Sequence, residues 1–166
     1  MENTIFINSL KNHFFIPFAM LEKIIEICPD ELWNEKKSGF IFWHQLLHTF
    51  VGMYFWLQEE NDHFDGKIMG KNVITELDDN PEKVIKTIYS KQDIIEFCNE
   101  SKNIAEKWFD GKDDKWLNSP SAKYKKMTNF DVMMGQIKHM MYHIGHCEAI
   151  FRENKIKTGE YLDYYG

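Results

Sequence analysis

The stretch NFDVMMGQIKHMMYHIGHCEAIFRE, residues 129–153, decides the fold. Phe130, Met133, Met134, Ile137, Met140, Met141, Ile144 and Phe151 recur mostly at the steps of one helix face. Thr128 stands where an N-cap belongs, and Asp131 brings a negative charge to the positive end of the helix dipole. A long helix over Asn129–Glu153 is predicted.

Three upstream segments share its period. Ser90–Asp110 carries Ile94, Ile95, Phe97, Cys98, Ile104, Ala105, Trp108 and Phe109, with Asp93 near its start. Phe40–Glu59 carries Ile41, Trp43, Leu46, Leu47, Phe50, Val51, Tyr54, Phe55 and Leu57, a density that calls for burial on much of its circumference. Thr4–Ile27 places Phe6, Leu10, Phe14, Phe18, Leu21, Ile24 and Ile25 at helical steps, with Pro17 expected to bend it. Between them lie a connector over Pro29–Gly39 with a short turn at Glu31-Leu32-Trp33, a long loop over Asn61–Pro81, and a polar link holding Trp116 and Pro120. A brief extended piece is expected over Lys71–Leu77. Four long helices without a persistent strand pattern predict an all-α fold, a four-helix bundle, in a single domain over residues 1–166.

Composition narrows the partners. Twenty Lys and Arg against 26 Asp and Glu leave a net charge of −6, which offers no basic face to displace counterions from nucleic-acid phosphates. No apolar run approaches the roughly 18 residues that span a bilayer, and no signal-peptide pattern opens the chain. Cys28, Cys98 and Cys147 stand far apart and outside any CxxC spacing, which suits a reducing compartment. A cytoplasmic protein that meets neither nucleic acid nor membrane is expected. Thirteen Phe, five Trp and nine Met fill wide gaps between helices. Trp33, Trp43, Trp56, Trp108 and Trp116 exceed what one small core needs, which predicts an apolar interface and a homodimer.

Five of the seven histidines fall in two of the helices: His44 and His48 on Phe40–Glu59, and His139, His143 and His146 on Asn129–Glu153. A four-residue step returns a side chain to nearly the same helix face, so His44 with His48, and His139 with His143, are stacked pairs. Two imidazoles from one helix and one from a neighbour can hold three corners of a zinc, nickel, copper or iron site, leaving a fourth for water or substrate. A single such pair is more often a solvated surface feature. Two pairs on the two most apolar helices favour the metal.

Other chemistries lack their signatures. Met140 and Met141 stand where a zinc protease would carry the Glu of HExxH, and no GxSxG, P-loop or GxGxxG is present. Glu59, Glu60, Asp62 and Asp65 read as a solvated helix end. Cys147, one turn beyond His143, reads as a buried inert thiol, and the methionine run as core filling.

The segment Phe40–Leu57, with Trp56 eight residues after His48, and the run His139-Met-Met-Tyr-His143-Ile-Gly-His-Cys-Glu-Ala-Ile-Phe-Arg152 resemble the two signature helices of the DinB-like superfamily. The resemblance covers almost the whole chain. It implies a four-helix bundle in which His48, His139 and His143 ligate a divalent metal, zinc or nickel first and iron or manganese next. The family often follows its last ligand with Arg-Gly-Gln, where this chain has Ile144-Gly145-His146. His146 is thus an extra imidazole, suited to hydrogen-bond substrate or a ligand, and His44 has no counterpart and is expected at the rim. Characterised relatives include thiol-dependent enzymes, bacillithiol or mycothiol S-transferases and a maleylpyruvate isomerase. The resemblance therefore implies a thiol S-transferase acting on electrophilic small molecules. The alternatives are a metal-dependent hydrolase, which would need an acid or base near the metal, and a non-catalytic stress or interaction protein with a saturated site.

Overall fold

The computed structural model describes residues 4–37, 39–60, 62–73, 77, 87–159 and 162. The chain is mainly helical, with α1 (Ile5–Ile27), α2 (Asp30–Trp33), α3 (Phe42–Trp56), α4 (Lys91–Phe109), α5 (Asp114–Leu117) and α6 (Asn129–Glu153). Among the described residues two antiparallel ribbons accompany them, β1 (Lys36–Lys37) with β2 (Phe40–Ile41), and β3 (Lys67–Ile68) with β4 (Lys71–Asn72).

Local chemistry explains the ends. Ser90 opens α4 and Thr128 opens α6 with reciprocal capping boxes, closed by Asp93 and Asp131. The start of α1 is capped from a distance. The buried Asp114 carboxylate accepts the N–H of Ile7 at 2.8 Å and that of Phe6 at 3.2 Å, so α5 supplies the oxygens that the first turn of α1 lacks. Pro17 lies inside α1 without ending it.

The four long helices enclose one core, with α1 against α4 and α6, and α3 against the same two. Phe14 meets Phe109 and Glu22 meets Lys102, so α1 and α4 run in opposite directions. Phe42 stacks on Phe151 while His48 meets His139 and His143, which makes α3 and α6 antiparallel too. Trp43 packs on Tyr89 and the Phe50 carbonyl accepts from Ser101, so the consecutive helices α3 and α4 are parallel. Parallel neighbours need a connection as long as the helices themselves, which fits the 34 residues between Trp56 and Lys91. Part of that connection, Phe64, Gly66 and Val73, lies against α3.

Helix α3 is shorter than the expected Phe40–Glu59. Phe40 and Ile41 pair with Lys37 and Lys36 instead, and the helix ends at Trp56. Of the extended piece expected over Lys71–Leu77, Lys71 and Asn72 form β4, and residues 74–76 lie outside the described ones, as do 78–81 of the long loop. The ribbons are two residues per strand, too short to leave an alternating pattern in the sequence. The tryptophans invoked for an interface are buried or half-buried. Among the described residues the exposed large apolar side chains are Ile5, Phe6, Phe55, Met69, Ile88, Phe130 and Tyr142. No helix among the described residues is long and apolar enough to cross a membrane.

Candidate metal centre

The seam between α3 and α6 brings three histidines together. His48 sits midway along α3, and His139 and His143 sit one turn apart on the face of α6 opposite it. His139 Nε2 lies 3.1 Å from His48 Nε2 and 3.2 Å from His143 Nε2. The rings stand nearly perpendicular to one another, with centroids 4.8 to 5.1 Å apart. Among the described residues these three form a group whose ligating atoms lie within 4.8 Å of one another. They can form a metal site.

Their protonation fits that role. Burial, and then the neighbouring imidazoles, pull His139 down to about 4 and His143 to about 3 from the ordinary 6.5. Both rings are therefore neutral near pH 7, with a lone pair free for a cation. The outer nitrogens of both, Nδ1 of His139 and Nδ1 of His143, are buried without a hydrogen-bond partner. The Nε2 atoms face one another at hydrogen-bond distance, and with the ring protons on Nδ1 their lone pairs would converge on a shared cation.

Gly52 permits the approach of the two helices. A Cβ at this position would stand 3.0 Å from His139 Cε1 and 3.1 Å from Nδ1, inside ordinary contact. A side chain here would require the imidazole to give by a few tenths of an ångström. The sequence signal was a glycine in a helical pattern one turn after His48, where it costs about 1 kcal/mol relative to Ala and so points to close packing.

The site opens into a cavity of about 570 Å³, lined by His48, His139, Val51, Phe55, Trp56, Phe64 and Val73 with Gly52 and Gly66. Its volume suits a small organic molecule. The wall is apolar and aromatic, apart from the two imidazoles. Of the expected loop, residues 64, 66 and 73 form part of this wall.

The remaining histidines stand apart from the convergent group. His44, expected at the rim, is buried at 2% exposure beside Trp43, because the start of α3 lies inside the core. His146 is half-buried with its ring edge toward Phe40, 6.0 Å between centroids. Cys147 is buried and its thiol pKa is raised by burial, while Cys28 and Cys98 are pushed up to about 12, so none is a ready thiolate. Glu59, Glu60, Asp62 and Asp65 are exposed, as a solvated helix end should be.

Compared with protein-family models, characterised proteins and solved structures, the chain finds no match.

Proposed function

We propose that the chain is a DinB-like four-helix bundle that binds one divalent metal through His48, His139 and His143 and joins a low-molecular-weight thiol to an electrophilic small molecule. The observation that carries this reading is the meeting of three imidazole nitrogens beside an open cavity that two of the rings, His48 and His139, help to line. Nitrogen donors of this kind suit zinc or nickel, and accept iron or manganese. When bound, the metal supplies a charge that deprotonates a thiol whose free pKa is near 8.5.

The chain's residues do the rest. Three neutral ligands leave the cation's charge undiminished, and Val51, Phe55, Trp56, Phe64 and Val73 exclude water and receive the apolar body of the electrophile. A hydrolase needs a carboxylate or similar base beside the metal, and among the described residues the cavity wall carries none. A saturated structural site would need a fourth protein donor, and His44 and His146 are not in the convergent group.

Metal analysis of untagged protein, followed by thiol conjugation of a panel of electrophiles, tests the reading. One divalent ion per chain and conjugation by the loaded form alone are the expected results. Equal conjugation by the metal-free chain, or none across the panel, overturns the transferase. The same reading takes the protein as a cytoplasmic homodimer. Light scattering near the 19.9 kDa of one chain would remove the dimer.

A further inference from the structure

A neutral imidazole carries one proton. If Nε2 of His139 gives its lone pair to a metal, the proton sits on Nδ1, which then needs an acceptor. That nitrogen is buried and unpartnered, and a buried N–H left so costs about 1–3 kcal/mol. One turn earlier on the same face of α6 lies Gln136, only 3% exposed, whose Oε1 is also buried without a partner. The two orphaned atoms border one point. From the position of a Cβ on Gly52, His139 Nδ1 is 3.1 Å away and Gln136 Oε1 is 3.5 Å away. With Nε2 on the metal, one atom lacks an acceptor and the other a donor, and both lie beside the bare Cα of Gly52.

We infer that Gln136 is a positioning residue for the metal centre: its Oε1 accepts the Nδ1–H of His139 when that ring ligates a cation through Nε2. A single hydrogen bond then satisfies both buried groups, and it selects the tautomer that leaves Nε2 facing His48 and His143. A carboxamide also orients the ring without adding charge, so the cation's pull on an incoming anion is not weakened. The inference rests on the three-histidine metal reading above.

Zinc affinity measured against a competing chromophoric chelator tests it. Gln136→Leu removes the acceptor and should weaken zinc roughly 10–100-fold, as loss of an outer hydrogen-bond partner does elsewhere. Gln136→Met, which keeps the length of the side chain, should do the same and stands in if the leucine variant folds poorly. Gln136→Glu restores an oxygen and should return zinc affinity to the wild-type value or above. A structural role alone would not move the His139 Nδ1–H resonance of the zinc-loaded protein. That resonance should persist in the wild type and in Gln136→Glu, and be lost to exchange in the leucine and methionine variants. Wild-type affinity in both apolar variants, or no rescue by Gln136→Glu, overturns the role of Gln136 and leaves the three-histidine site standing. Failure of the wild-type protein to take up zinc overturns both.

Discussion

Two seams of the same core are built on opposite principles. Between α1 and α4, Phe14, Phe15, Phe18 and Phe109 fill the gap ring against ring, and the Glu22 carboxylate pairs with Lys102 at its edge. Between α3 and α6, His139 Nδ1, His143 Nδ1 and Gln136 Oε1 are buried without partners, and the fully buried Gln45 on α3 has neither end of its amide bonded. Unpaired buried polar atoms cost stability, and a protein seldom gathers them without a use. The aromatic seam holds the fold, and the polar seam is held in place by it. Phe42 and Phe151 stack across the α3–α6 seam as well, so the contrast lies at its histidine level: a ring removed between α1 and α4 should lower stability while leaving the three imidazoles in place.

The strongest break of this contrast is His143→Ala. Two imidazoles are too few for a three-cornered site, so elemental analysis should show metal falling below one ion per chain, with unchanged helicity by circular dichroism. His48→Ala should do the same, and retention of metal at wild-type occupancy by either would undo the ligand assignment. On the other seam, Phe18→Ala removes a ring with 0% exposure that touches Phe14, Phe15 and Phe50. It should lower unfolding stability by about 3–5 kcal/mol in urea, yet leave metal per folded chain unchanged.

Gly52→Ala sharpens the polar seam. The added methyl pushes the His139 ring by a few tenths of an ångström, so zinc affinity should fall, with an overpacking cost of about 1–3 kcal/mol in melting experiments. An unaltered affinity would mean that the ring has room to spare. The smallest effect lies outside both seams. Asp93 accepts from Lys71 at 2.5 Å and caps α4 through Ser90, and these bonds, that to Lys71 first, hold its carboxyl at about 2 instead of 3.8. A lowered carboxylate pKa stabilises above the unfolded value and loses that contribution as pH falls through the folded one. Asp93→Asn should therefore cost about 1 kcal/mol at pH 7, and the difference from wild type should shrink from about pH 4 and vanish below about pH 2, with metal content unaffected throughout.

Much of this was legible beforehand because helices declare themselves locally. The capping residues Thr128 and Asp131 and the apolar steps that follow placed α6 at Asn129–Glu153, where it lies. The histidine pairs were visible for the same reason. Phe40 and Ile41 read as helix because their apolar character continues that of α3, and only their pairing with Lys37 and Lys36 draws them into a strand. Gln136 drew no notice, since one glutamine in a helix is ordinary until a partnerless nitrogen is found beside it.

Periodicity by itself determined which residues share a face on each helix, because that depends only on the turn angle within one segment. It could not say that His48 meets α6 while His44 packs beside Trp43, although both ride the same stripe of α3. That choice belongs to the tertiary structure. Which turn of one helix stands opposite which turn of another follows from how far α3 and α6 slide along each other, and Gly52, Phe42 and Phe151 set that register through contacts between residues far apart in the sequence.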